Sequence, residues 1–467
     1  MSRLSRFLSR RLSDCDELTR KIFASAALST MVFSVQVISR ILSTIVLTRI
    51  LSPEIFGVFA VVLMFIFILE QFTDIGVRSL ILTKEDDLDD GFLRSCWTAQ
   101  ILRGILIFLV CGLLAIGLSL MQEAGYFPPN SSYADKALPY AVAAIGGAGI
   151  IAGFASPAKF IYEREMKFRQ ISFETLFITA FTVVVTIVFA LWLHNVWALV
   201  LGNLASSVVV VILSYTMFTG PKMRLNWSLS DFQLIMVRGK WIISHSALGA
   251  VVSVADRLIL GFAMSASSFG FYYIARQIVD LVGLFLNAVH GQMGLQVFTA
   301  LQKDGDAAQL QTRYYSYRLL FDGLAMFAAG AFLTFAPTLV EIVYDDRYAN
   351  VAGMIQILAL GLILIGPGLL REAFSAERRF REMTMLSLIR AASIWVGLAV
   401  AIFVFGSTTG ALFVVALHRI PETFVLLVKG RTERWVSWWS EIRLMPLVAV
   451  GAAVGWGLAE LWQVVAS

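Results

Sequence analysis

Of the 467 residues, 58% are hydrophobic and only 15% are charged, with a mean hydropathy of +0.78. A water-soluble chain carries about 25% charged residues, so too little polar side chain is available to coat a soluble globule, and the wealth of Phe, Leu, Ile and Val excludes disorder. The net charge of +5 is that of a membrane protein with basic cytoplasmic loops, so no nucleic-acid partner is expected. Cys15, Cys96 and Cys111 form no disulfide framework and, like the scattered histidines, no metal spacing; no metal and no cofactor are expected.

In chain order, residues 1–21 predict a basic amphipathic helix. Leu4, Phe7, Leu8 and Leu12 share a stripe, and Arg3, Arg6, Arg10 and Arg11 surround it, suiting a surface of anionic lipid. The apolar run after Lys21 reaches about Ile50. It is too long for the core of a cleaved signal and lacks a small-residue cleavage site. Apolar segments then fall at 23–48, 56–82, 95–120, 138–158, 172–193, 196–218, 241–264, 269–298, 315–336, 351–370, 384–405, 410–428 and 444–465. They are numbered here as spans 1 to 13. With the N-terminus inside, 27 of the 37 Lys and Arg fall in cytoplasmic segments and only Arg49, Lys136 and Arg347 fall outside, as the positive-inside rule requires. Trp435, Trp438 and Trp439, beside Arg434 and Arg443, read as an interfacial anchor.

The chain repeats itself. Ser52, Phe56 and Gly57 match Ser265, Phe269 and Gly270 at an offset of 213. The expected fold is therefore an all-α polytopic membrane protein, with two six-helix lobes related by internal repeat around a central cavity and about one extra C-terminal helix. The predicted division is 1–21 surface helix, 22–218 N-lobe, 219–240 cytoplasmic linker, 241–428 C-lobe and 429–467 interfacial segment with a last span. Transport folds often arise by such duplication, with the substrate between the halves.

Ionisable residues inside spans are costly and mark function by default. Arg78, Arg103, Arg390 and Arg419 lean toward the cytoplasmic ends and are expected to snorkel. Arg40, Arg257 and Arg276 sit about 12–13 Å inside the outer turns at 1.5 Å per residue. They are expected to line one hydrated cavity. Polar stripes at helical spacing support this. Span 8 carries Arg276, Asp280, Gly283, Asn287, Gly291 and Gly294, with His290 beside them. Span 7 carries Ser246, Gly249, Ser253, Asp256 and Arg257, and span 1 carries Ser25, Ser29, Gln36, Arg40 and Ser43. Close packing through small residues explains the Gly and Ser positions but not the Arg and Asp ones. In span 2, Glu70, Asp74 and Arg78 recur at i+4 and share a face on an unbroken helix. Asp74 then pairs with Arg78, and Glu70 is either a proton site or the neutraliser of a cavity arginine. Asp280 is expected to pair with Arg276 one turn away, and Asp256 to find its partner on another helix. The tip Tyr344, Asp345, Asp346, Arg347, Tyr348 reads as a solvated hairpin end.

Residues ISRILSTIVLTRILSPEIFGVFAVV (38–62), FTDIGVRSLIL (72–82), ADRLILG (255–261) and FGFYYIARQI (269–278) resemble the polysaccharide-transport family. These are the O-antigen and exopolysaccharide flippases of the multidrug/oligosaccharidyl-lipid/polysaccharide exporter superfamily. The resemblance covers both lobes to about residue 428. It implies a transporter, not an enzyme, that carries an undecaprenyl-pyrophosphate-linked oligosaccharide from the cytoplasmic to the periplasmic leaflet by alternating access. The implied setting is the bacterial inner membrane, with a monomer working beside a polysaccharide polymerase and a chain-length regulator. In that setting Arg40, Arg257 and Arg276 meet the pyrophosphate, since a guanidinium fork makes paired bonds to it and stays charged. Gln36, Ser253 and Asn287 meet saccharide or headgroup atoms, and Glu70, Asp74, Asp256 and Asp280 serve coupling or charge balance. A cation-coupled multidrug antiporter, a lipid II flippase and export of a small soluble substrate are the transporter alternatives. A membrane polymerase or ligase and a non-transporting scaffold come from other classes. No nucleotide-binding loop is present, so ATP is not the expected direct energy source.

Overall fold

The computed structural model describes residues 17–84, 88–284, 307–371, 374, 379–433 and 435–466. The predicted surface helix lies mostly outside them, as do Asn287, His290, Gly291 and Gly294. The described elements are helices: α1 Glu17–Ile50, α2 Pro53–Phe72, α3 Val77–Thr83, α4 Asp90–Glu123, α5 Leu138–Gly153, α6 Ala158–Arg164, α7 Phe168–Leu193, α8 Val196–Thr216 and α9 Leu229–Ala263. There follow α10 over 266–284, then α11 Ala307–Val343, α12 Val351–Ala359, α13 Phe380–Ala399, α14 Thr408–Leu417, α15 Ile420–Thr432, α16 Trp438–Ile442 and α17 Pro446–Ala466. Among the described residues 11 helices are long and apolar enough to cross a membrane, or 12 if the bent pair α5 and α6 (63°) is one span. The thirteenth predicted segment is one of these helices, Trp439–Val464.

Turn chemistry sets the ends. His194 and Gly406 both take left-handed backbone, at φ 52 and 60. Each is followed by a helix cap, Asn195 accepting from the Trp197 N–H at 3.0 Å and Ser407 accepting from the Gly410 N–H at 2.9 Å. The α7–α8 and α13–α14 turns thus repeat the same device one lobe apart. Span 2 departs from its expected single helix. Gly76 sits at φ +69, where a Cβ would strike Ile242, so the chain breaks after Phe72 and restarts at Val77. Asp74 is consequently not helical, and its Oδ1 accepts the Gly76 N–H at 3.0 Å. Arg78 turns away and pairs with Glu163. The expected Asp74–Arg78 pair does not form, because four residues span one turn only on an unbroken helix.

The chain forms two compact units, one of residues 1–51, 65–124 and 136–250 and one of 52–64, 125–135 and 251–467. The predicted linker is helical from Leu229, where α9 begins. Within the first unit α1 packs along α7 and α4 along α5. Gly104, Gly149 and Gly153 let the α4 and α5 backbones touch, the usual packing where lipid removes the hydrophobic drive. Leu109, Leu113, Ile116 and Leu120 on α4 stay exposed, a stripe that suits acyl chains. Arg103 donates to Glu70 O at 2.8 Å and Thr73 Oγ1 at 3.2 Å, closing the frayed end of α2 instead of snorkelling. Cys96 and Cys111 are buried and free.

Within the second unit α17 lies along α11. Gly330, Gly451 and Gly455 have no room for a Cβ, and Thr334 Oγ1 donates to Ala452 O at 2.9 Å. Trp435 is 7% exposed and packs on Phe374 at 5.6 Å, so it belongs to the core, whereas Trp439 stays exposed at 78%.

Candidate functional site

The repeat becomes visible where its two copies touch. A Cβ on Gly57 would strike Ala266 O, and one on Gly270 would strike Pro53 O. Pro53 and Ala266 are themselves one repeat offset apart, so the contact is reciprocal, as in an isologous pairing. Nearby, Ser131 and Ser265 form an antiparallel bridge, and the Ala266 N–H donates to Asn130 O at 2.8 Å. The tip 344–348 packs onto this contact and is not merely solvated. Asp345 binds Arg347, but Tyr348 is fully buried, edge-on to Phe56 and Phe271. Burial drives the Tyr348 phenol above its ordinary range and pushes Tyr344 up to about 12, so both are neutral packing groups. An apolar ring beside the turn outweighs the polarity of its neighbours.

Deeper in the same unit, Tyr272, Arg276 and Asp280 follow one another at i+4 on α10. The Tyr272 hydroxyl donates to Asp256 of α9, which is 3% exposed. Asp256 thus finds a partner on another helix. Arg276 Nε lies 3.0 Å from Asp280 Oδ2, with side chains 28% and 41% exposed. The pair is half-open, unlike a core ion pair. Arg257 and Arg276 both act electrostatically on Tyr272. Ser253 is exposed on α9.

Arg276 belongs to a wider basic group. Arg419 lies within the fields of Arg390, Arg276 and Arg371 and of the opposite charge of Glu422. His418 lies within those of Arg419, Arg276 and Arg390. Glu422 is 4% exposed, 2.7 Å from Arg371 Nε and 3.8 Å from Arg390 Nε. Arg371 also donates to Ser387 Oγ at 3.1 Å. Arg390 and Arg419 therefore do not simply snorkel, because a buried carboxylate holds Arg390 and like charges crowd Arg419. Sequence reading missed Arg371, His418 and Glu422. The i+3 spacing of Arg419 and Glu422, on adjacent turns of one face, is the signal that was available. Among the described residues Arg371 and Arg390 lie against Glu422, Arg276 against Asp280, and Arg419 within the like fields of Arg276, Arg371 and Arg390. Arg40, exposed, and Gln36, half-buried, stand on α1 in the first unit, to which Glu70 of α2 and Asp74 after it also belong. Asn287 is outside the described residues.

The sequence profile of the polysaccharide biosynthesis protein family matches residues 46–352, more than half of the chain. The chain belongs to this family. No curated protein sequence matches it significantly. The lipid II flippase MurJ in an inward closed conformation superposes with TM-score 0.66 at 13% identity, over 94% of this chain and 98% of that one. An inward-facing multidrug resistance MATE transporter of the MOP superfamily gives 0.62 at 15%, over 88% and 95%. A MOP superfamily transporter from Pyrococcus furiosus, described as having a binding pocket of reverse polarity, gives 0.55 at 14%, over 91% and 96%. This family member therefore shares the two-lobe fold of these structures, and it is a multi-pass membrane protein.

Proposed function

We propose that this protein flips an undecaprenyl-pyrophosphate-linked oligosaccharide across the bacterial inner membrane by alternating access, for surface or exopolysaccharide synthesis. The N-terminus is cytoplasmic on the positive-inside count, and transfer runs from the cytoplasmic to the periplasmic leaflet. The observation that carries the reading is the group of arginines, Arg276, Arg371, Arg390 and Arg419, gathered within one another's fields. Clustered guanidinium groups repel one another, and an anion between them relieves that repulsion. A diphosphate meets several forks at once, whereas a cationic drug adds to the charge. The family match supports a saccharide cargo, and the shared fold supports movement across the bilayer. Arg40, Gln36, Ser253 and Asn287 are the further residues assigned in this reading to headgroup and saccharide atoms. Asp280 and Glu422 orient guanidinium groups, and Asp256 sets the α9–α10 pairing through Tyr272. Glu70 and Asp74 remain charge-balancing candidates near the broken span 2.

Complementation tests this. Cells lacking their own oligosaccharide flippase regain surface polysaccharide with this chain. Arg276→Ala and Arg390→Ala insert normally but lose at least tenfold of the product. Full product from both variants would end the assignment. Rescue of cells depleted of lipid II flippase instead would move the cargo to lipid II.

A further inference from the structure

Away from the arginine group, the second unit buries another set of charges. Arg318 on α11 is 1% exposed. It pairs with Asp322 one turn on and with Glu441 of α16. Arg318 Nη1 lies 3.3 Å from the Tyr314 hydroxyl, and the Tyr315 hydroxyl donates to Glu441 Oε1 at 2.9 Å. The segment 360–369, which sets Gly366 against the Asp322 carboxylate, carries no ionisable residue, and neither does α17 before Glu460. Among the described residues one guanidinium therefore faces two carboxylates, and the ionised group has a net charge of −1. Asp322 is 2% exposed, and no donor among the described residues reaches its buried Oδ1.

Burying a net charge is costly, and an unbonded carboxylate oxygen adds to the cost. One proton on Oδ1 cancels the net charge and leaves a neutral hydroxyl, cheaper to bury than an unbonded anionic oxygen. A metal ion fits poorly, because a Cβ on Gly366 would already overlap the Asp322 carboxylate, leaving no volume for a coordination shell. Glu441, with a side chain 12% exposed, gives the group its contact with solvent. We propose that Asp322 and Glu441, bridged by Arg318, bind one exchangeable proton between them. Two carboxylates coupled this closely titrate as a pair. The site joins α11, the irregular 360–369 segment and the link to α17. Its use in driving transport rests on the flippase reading, but proton binding itself does not.

Infrared difference spectra of the full-length protein in nanodiscs, without saccharide, test the site. Wild type shows a protonated-carboxyl band at acid pH that is lost in alkaline buffer and shifts in heavy water. Asp322→Asn loses the band. Glu441→Gln also loses it, because the remaining Arg318–Asp322 pair is already neutral. The second variant keeps the Tyr315 contact and carries the test if the first does not insert. A band that survives in both variants, or no titrating band in wild type, overturns the proposal. Displacement of the band by sodium at fixed pH overturns it in favour of a metal cation.

Discussion

A single methyl group decides the fit at Gly57 and Gly270. Each faces the carbonyl that its counterpart's repeat predicts, with no space for a side chain. Overpacking of this kind costs about 1–3 kcal/mol, so Gly57→Leu and Gly270→Leu each lower the thermal midpoint. The double variant falls short of the sum, since both changes force apart one contact; full additivity in calorimetry would show that the glycines act separately. A second residue-scale test concerns Tyr272. Tyr272→Phe strips the hydroxyl donor from buried Asp256 and costs about 1–3 kcal/mol, read as a loss of thermal stability. An unchanged midpoint would mean that the carboxyl finds another donor. Some of this was legible in the sequence. The glycines were visible as a repeat, and the Arg276–Asp280 pair as an i+4 spacing. The Asp74–Arg78 pair was misread because polar spacing presumes a continuous helix, and nothing but the left-handed conformation of Gly76 cancels it.

At the scale of elements, apolar length identified the spans well, because a bilayer demands about 20 apolar residues whatever the packing. Their neighbours were less legible. The last span read only as an extra helix, yet Gly451 and Gly455, four apart on one face, seat it on Phe327 and Ala331 of α11. In a bilayer such contact holds helices together by close packing, not by hydrophobic drive. Gly451→Leu or Gly455→Leu therefore detaches α17, raising protease cleavage between α15 and α17 several-fold while the chain still inserts. Unchanged cleavage would mean that the buried Arg318–Glu441 contact alone holds the segment. The same scale explains the misread tryptophans. Trp435 lies where the chain folds back over Phe374, and a charge-flanked aromatic cannot reveal whether a helix turns inward.

At the scale of the molecule, the repeat predicted two lobes, and the matched caps at Asn195 and Ser407 bear its mark in both. It did not predict that residues 52–64 and 125–135 group with 251–467 in one compact unit, because that closure pairs ordinary serines far apart in sequence. Alternating access requires the closure to be reversible, so it supplies a direct test. Residues opposed in an antiparallel bridge stand about 4.5–5.5 Å apart at Cα, within the span of a disulfide. Ser131→Cys with Ser265→Cys, in a chain whose Cys15, Cys96 and Cys111 are replaced by serine, therefore crosslinks on oxidation. Crosslinked cells stop exporting polysaccharide, and reduction restores export. Either single variant remains active under oxidant, which separates locking from damage. Export that continues with the crosslink complete would mean that this end never opens, and transport by alternating closure would have to be abandoned for the chain.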